Sequence, residues 1–422
     1  MKFVLAFYGS RGDAEPCVAV GHELLSRGHD VRVALSPKLV GFAEATGLAA
    51  VAYGLDNRAI CQAQFNYLTC LFRNPWRVRE LIRLEREAEG LGKRCWVEMC
   101  TTLRSLADGA DLLVTGLGFQ ELAANVAEYY DIPLATLHYL PVRPNGQLLP
   151  FLPTPLARSA MTVYDWLIWR MWKKGEDAQR RELGLPKATG PAPRRITEGG
   201  SLEIQTYDEV CFPGLAAEWA KFDGQRPFVG ALTMELPTDA DEDVASWIAA
   251  GSPPIFFGFG SIPLKSPADM LAMISVACAQ VGERALVCSA GSDFSHVAHF
   301  EHVKVVDAGN YAAACPACRA VVHHGGAGTT AAGLRAGVPT LILSRDPSQA
   351  LGGAAVKRMK VGTARRLSTT TQESLVADLR TILAPQYVTR AREIATRMTK
   401  PAESVAAAAD LVEDFARLRR IS

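Results

Sequence analysis

Val321-Val-His-His-Gly-Gly-Ala-Gly-Thr-Thr330 runs from an apolar strand pattern into glycines, then into the helical Ala331–Ala336, before Gly337-Val-Pro339 and another apolar run. A strand that ends in small residues and opens a helix leaves backbone N–H groups aimed at the strand's carboxyl end, where a phosphate or diphosphate is the natural occupant. Gly325, Gly326 and Gly328 permit close backbone approach, and Thr329 and Thr330 can cap the helix or donate to phosphate oxygens. His324 can donate to a diphosphate without a permanent charge. An ordinary glycine turn with two incidental histidines has the same letters, but the His pair directly before the turn favours the anion site.

The alternation of strand and helix extends outward from this stretch. Pro254–Phe259, Ala285–Ser289, Ala320–His323 and Pro339–Leu343 read as strands with helical segments between them. Earlier in the chain, Lys2–Tyr8 is a short apolar run, Gly9–Pro16 a turn-rich loop, Pro16–Arg27 a helix stopped by Gly28, and Val31–Leu35 a second strand. Asp111–Thr115 and Pro133–Leu137 flank the amphipathic Gln120–Tyr130. Repeated βαβ units imply an α/β fold of two doubly wound, Rossmann-like domains in tandem. The expected division is 1–234, an acidic, proline-containing linker at 235–245, a second domain at 246–400, and a closing helix at 401–422 that packs back towards the first domain.

Composition narrows the function. The chain has 422 residues, 45 Lys plus Arg against 44 Asp plus Glu, and 49% hydrophobic residues. Such balance gives no electrostatic case for nucleic acid, and so apolar a chain has ample surface to bury. The apolar start is too short for a secretory signal core, and no charge-free window is long enough to span a membrane. A cytoplasmic protein with ten reduced thiols is expected. Cys315-Pro-Ala-Cys318 has redox or zinc spacing, but with no second pair to complete a metal site, buried structural thiols are expected.

Three further stretches bear on chemistry. Gly258-Phe-Gly-Ser261 is a flexible turn with a hydroxyl at a strand end; it does not complete a dinucleotide fingerprint, which argues against a nicotinamide-dependent oxidoreductase. In Gly9-Ser-Arg-Gly-Asp13-Ala-Glu-Pro16, Asp13 follows the first strand at the edge where ligands of open α/β sheets bind, and both a general base and a helix-capping carboxylate fit its spacing. Met161–Lys174 holds three of the seven tryptophans on a helix. It suits a core-facing element, a wall for an apolar acceptor, or a contact with a membrane surface.

Together, GSRGDAEP, FGFGS and NYAAACPACRAVVHHGGAGTTAAGLRAGVPTLIL resemble the family 1 glycosyltransferases of GT-B fold. The resemblance covers nearly the whole chain and lies nearest the bacterial branch of sterol-glucosyltransferase-like, glycopeptide and glycopeptidolipid enzymes. LHYLPVRPNGQLLP, Leu137–Pro150, also looks like the glycolipid-modifying members.

The resemblance implies two domains facing a central cleft and an inverting transfer of a hexose or deoxyhexose from a UDP- or dTDP-sugar, with no metal or other cofactor. It places the diphosphate at His324, Gly326, Gly328 and Thr329, with Ser261, Ser10 and Arg11 nearby, and the nucleobase and ribose at Asn310 and Tyr311. It makes Asp13 the base that deprotonates an acceptor hydroxyl, and Gln349, with Asp346, the sugar contacts. Ser348 stands where family members carry an acid before Gln349, a departure that bears on the donor sugar. His138, Trp166 and Trp169 are the expected acceptor contacts, together with the aromatic stretch Phe65–Trp76, for an apolar partner such as a glycolipid, peptidolipid, polyketide-type natural product or sterol-like molecule, with peripheral association at the inner face of a membrane. A non-catalytic glycosyltransferase-like partner protein is the alternative that the altered Ser348-Gln349 loop motivates.

Overall fold

The first sheet has six parallel strands: β1 (Lys2–Phe7), β2 (Asp30–Leu35), β3 (Ala49–Ala52), β4 (Leu112–Thr115), β5 (Leu134–His138) and β6 (Leu202–Gln205). They lie in the order β3-β2-β1-β4-β5-β6. The second sheet comprises β7 (Ile255–Gly258), β8 (Ala285–Cys288), β9 (Val303–Val306), β10 (Ala320–His323), β11 (Thr340–Ser344) and β12 (Gly362–Arg366), in the order β12-β11-β10-β7-β8-β9. Counted from its own first strand, the second sheet repeats the order of the first. Both are the doubly wound arrangement in which the winding direction reverses between the first and fourth strands.

This computed structural model describes residues 1–422 except 58, 61, 64, 65, 68, 69, 71–75, 150, 151, 223, 236, 237, 261–263, 265, 290–293, 295, 296, 298, 299, 308 and 422. The chain divides into two units: Met1–Thr206 with Leu215–Leu232 and Ala402–Ser422, and Tyr207–Gly214 with Thr233–Pro401.

Interior strands are continuous apolar runs because helices cover both faces of a parallel sheet. Adjacent residues therefore serve opposite layers: Phe257 and Val322 pack with Ile274 and Leu375, while Phe256 and Val321 pack with Cys315 and Val338 on the other side. Each fully buried Phe contributes about 1.5–3 kcal/mol.

Helix Arg11–Ser26 starts five residues before the expected Pro16, because Asp13 at its third position reaches back to the backbone N–H of Ser10 and fixes the first turn. Part of the stretch expected as linker is also helical. Asp241–Ala249 opens with three acidic residues, which suit a helix N-terminus, and Asp241 accepts from the Thr238 backbone N–H at 3.0 Å.

Helix Pro401–Ile421 closes the chain within the first unit. Arg27 pairs with Asp410 at 2.6 Å, and His29 Nε2 lies 2.7 Å from Glu413.

Candidate functional site

In the first unit, the loops leaving β1 and β4 part at the switch point. A pocket opens there, lined by Phe7, Tyr8, Asp13, Gly116, Gly118, Leu137, Tyr139 and Thr206. Its walls come from the carboxyl ends of β1, β4, β5 and β6, as expected for a ligand site in an open α/β sheet. Asp13 Oδ2 accepts from the backbone N–H of Ser10 at 2.8 Å and from the Ser10 hydroxyl at 3.0 Å. The Tyr139 hydroxyl also donates to this carboxylate. Burial pushes the Asp13 pKa up, and the Ser10 and Tyr139 hydrogen bonds offset only part of that rise. Asp13 thus serves as the helix-capping carboxylate and also lines the pocket.

The carboxylate has room because residue 9 is glycine. Gly9 has φ +150°, and Asp13 occupies the place that a Cβ there would need. Ser36, just after β2, clamps this glycine: its hydroxyl accepts from Gly9 N–H and donates to Gly9 C=O, both at 3.0 Å. Thr206 and Ser36 carried no sequence signal, and Tyr139 lies in the Leu137–Pro150 stretch with nothing to mark it individually, since each becomes relevant only once neighbouring strand ends are brought together. Glu121, on the helix after the β4 loop, is pushed up to about 7 by burial, another perturbed acid near the switch point.

Other expected residues stand apart from this pocket. Arg11 reaches along its helix to Glu15 at 3.6 Å and lies over the Phe42 ring at 4.7 Å. His138 is fully buried, with burial holding its pKa well below the usual value, and its Nε2 has no hydrogen-bond partner among the described residues. Trp166 and Trp169 lie on helix Thr154–Glu182; Trp166 is exposed, and Trp169 Nε1 donates to Glu176 at 2.8 Å. Most of Phe65–Trp76 lies outside the described residues.

In the second unit, the switch point falls between β7 and β10, where Gly258 pairs with His323. The His324 ring is wedged between Gly260 and Gly326: a Cβ on either would stand 2.6 or 2.7 Å from its ring atoms. Its Nδ1 lies 3.4 Å from the Gly258 carbonyl, and burial lowers its pKa, so the ring is neutral at pH 7. His323, the other member of the pair, is fully buried and accepts from Gly325 N–H at 3.0 Å; its pKa is lowered to about 3. The first His therefore holds the turn, while the second, partly accessible, faces it.

Helix Ala327–Arg335 follows, with Gly326 as its N-cap. Thr330 makes the first intrahelical bond, N–H to Gly326 C=O at 2.9 Å, and its hydroxyl donates to the same carbonyl at 2.8 Å. The amides of Ala327, Gly328 and Thr329 precede that bond and form the positive end of the helix. Gln349 packs against Gly325, holds Arg345 N–H at 2.8 Å, and donates its own N–H to Asp346 at 3.0 Å. Asp346 thus caps helix Pro347–Met359. Arg345, which sequence reasoning passed over, adds a cation near His324.

Asn310 caps its own short helix and reaches Asp241 at 3.4 Å, while Tyr311 packs edge-on against Phe256 at 5.2 Å. Ser261 lies outside the described residues. Cys315 and Cys318 are free, buried thiols whose pKa values burial raises, Cys318 to about 12. Among the described residues, no group of three His, Cys, Asp or Glu side chains is arranged to hold a metal ion, and no helix is long and apolar enough to cross a membrane.

Comparison with known proteins bears on what such sites serve. The family model "Erythromycin biosynthesis protein CIII-like, C-terminal domain" matches residues 264–416. The chain is 60% identical over 423 residues to "Uncharacterized glycosyltransferase Rv1524" of Mycobacterium tuberculosis (strain ATCC 25618 / H37Rv), covering 100% of each chain. It is 28% identical to "Glycosyltransferase GtfE" of Amycolatopsis orientalis, over 98% of this chain and 97% of that one. The solved structure of glycosyltransferase VinC in complex with DTDP has the same fold at a TM-score of 0.64, with 16% identity, over 98% of this chain and 100% of that chain. Two sheets of repeated Rossmann order, a helix N-terminus behind His324, and a full-length relationship to proteins of this kind place the chain in the family 1 glycosyltransferases of GT-B fold.

Proposed function

We propose that this glycosyltransferase moves a hexose or deoxyhexose from a uridine or thymidine diphosphate sugar to a hydroxyl of an apolar acceptor, with inversion at the anomeric carbon and Asp13 as general base. The half-buried Asp13 carboxylate in a pocket at the β1–β4 switch point carries this reading. An acceptor hydroxyl is a poor nucleophile at neutral pH, and an aligned base contributes about 10²–10⁴-fold. The acceptor O–H proton passes to Asp13 as the oxygen attacks the anomeric carbon, and the bond from that carbon to the diphosphate oxygen breaks on the opposite face.

The departing diphosphate gains negative charge. In the second unit, the amides of Ala327, Gly328 and Thr329 and the neutral His324 ring supply donors suited to that charge. The VinC complex, a nucleotide-bound relative in fold, supports thymidine diphosphate as one donor type. Gln349 and Asp346, next to the glycine turn, are the residues to which we assign the sugar hydroxyls.

Thermal-shift titration with UDP, TDP and GDP identifies the donor, because a ligand bound only by the folded chain raises the midpoint with concentration. Asp13→Asn is expected to lower transfer by at least about 10²-fold while retaining that nucleotide shift. Loss of nucleotide affinity with transfer preserved would refute the assignment.

A further inference from the structure

Helix Thr154–Glu182 is amphipathic in the inverted sense. Its inner face is polar: Trp169 donates to Glu176, Gln179 bonds Asn125 at 2.9 Å, and Arg180 pairs with Glu128 at 2.7 Å. Its outer face is apolar, with Leu156, Val163, Tyr164, Leu167, Ile168 and Met171 from 37% to 72% exposed. These positions recur at three- and four-residue spacing and so form one stripe. Soluble proteins seldom leave such a stripe on a helix without a partner.

Charge indicates what that partner is. Between Thr154 and Gly175 the only acid is Asp165, partly buried among the inward positions. Arg170 and Lys174 are exposed beside the apolar stripe, and the Arg170 guanidinium lies 5.5 Å from the Trp166 ring centroid. Trp166 and Trp172, each more than 40% exposed, flank the stripe where aromatic residues favour the boundary between hydrocarbon and water. A second copy of this helix would offer Arg170 and Lys174 no outward acid from this segment, whereas an anionic lipid surface satisfies both cations and the stripe.

We propose that helix Thr154–Glu182 docks the protein on an anionic bilayer surface, with Leu156, Val163, Tyr164, Leu167 and Met171 in the headgroup boundary and Arg170 and Lys174 on lipid phosphates. The proposal does not depend on the transfer chemistry.

Flotation of the full chain with vesicles decides it. Wild-type protein is expected to float with phosphatidylcholine vesicles carrying phosphatidylglycerol, and much less with phosphatidylcholine alone. Arg170→Gln and Lys174→Gln should each weaken binding to the anionic vesicles by about fivefold. Leu167→Glu combined with Met171→Glu should abolish it; both side chains point outward, so the far-ultraviolet circular dichroism and any nucleotide-induced midpoint shift should match wild type. Failure of the wild type to float with either vesicle, or flotation of the double Glu variant at the wild-type level, would overturn the proposal. So would a dimer in light scattering that the double Glu change dissociates and vesicles do not. Absence of a nucleotide shift in wild type would count against the transferase reading alone and leave the flotation result standing.

Discussion

A Cβ on Gly9 would stand 2.3 Å from Oδ2 of Asp13, so the carboxylate fills the space that any other residue at position 9 needs for its side chain. Since φ at Gly9 is +150° and Ser36 clamps both its backbone polar groups, the loop cannot easily relax away from the conflict. Gly9→Ala is expected to displace Asp13 and lower transfer by about 10²-fold or more, with a smaller effect on nucleotide affinity, since the proposed diphosphate donors are mainly those of His324 and the helix that follows it. Steady-state kinetics beside nucleotide thermal shifts check this; equal losses in both would show that the change unfolds more than the loop.

Tyr139 tunes Asp13. Its hydroxyl is one of the donors that hold down a pKa otherwise raised by burial. Tyr139→Phe should therefore raise the Asp13 pKa further, and a base that works ionised should then show an acid limb of transfer displaced to higher pH. The same shift has a stability consequence. A carboxyl whose pKa is raised on folding binds its proton more tightly when folded, which favours folding at low pH; that contribution is lost as pH rises from the ordinary carboxyl value through the raised one. Once ionised above its raised pKa, Asp13 thus costs stability, and there Asp13→Asn should unfold at a temperature no lower than wild type while losing transfer. A clear fall in its midpoint would mean that the Ser10 bonds stabilise more than burial costs.

What the sequence makes legible follows the layering of the sheets. Val321, Val322, Phe256 and Phe257 lie in strands covered on both faces, and such strands announce themselves as apolar runs. Ala49–Ala52, Leu202–Gln205, Val303–Val306 and Gly362–Arg366 form the sheet edges, and the sequence pattern predicts a strand at none of the four. Glu203 and Gln205 in β6, or Arg365 and Arg366 in β12, mask a strand from any hydrophobic pattern. The two glycine-bearing loops were legible for the opposite reason, because close approach and strand-end placement restrict their residue types. Partners such as Ser36, Tyr139 and Arg345 were not, since any polar residue on a neighbouring strand end could have filled those positions.

His324 depends on two glycines for its orientation. At Gly260, with φ +71°, a Cβ would sit 2.6 Å from the ring, so Gly260→Ala should push the imidazole out of place and add backbone strain. Weaker binding of nucleoside diphosphate is expected, by roughly tenfold, the loss of one directed hydrogen bond to a charged group. Because burial lowers the His324 pKa, the free ring is neutral at pH 7, and a bound diphosphate would favour its protonation. Affinity should therefore rise as pH falls towards that lowered value, with proton uptake on binding. Calorimetry in buffers of different ionisation enthalpy measures the uptake, and His324→Gln should abolish it.

Arg143 and Glu203 form a fully buried ion pair that ties the segment after Tyr139 to edge strand β6. Glu203 also lies 3.5 Å from Arg226 and accepts from Thr197 at 2.6 Å, while Arg143 has a further bond to Gln120 at 3.1 Å. Removing one member of a buried pair leaves the other uncompensated and typically costs about 3–5 kcal/mol, whereas replacing both with apolar residues is often close to neutral. The two single changes should not be equivalent. Glu203→Met removes the carboxylate that both buried guanidinium groups face, but Arg143→Met leaves Glu203 with Arg226, so Glu203→Met should be the more destabilising in urea. The double replacement should recover much of the loss from Glu203→Met, though not all, because the contact of Arg226 with Glu203 is still lost. If Arg143→Met proved the worse change, the bond to Gln120 and the packing of the long Arg143 side chain, rather than the charge of Glu203, would be what holds this segment at the pocket.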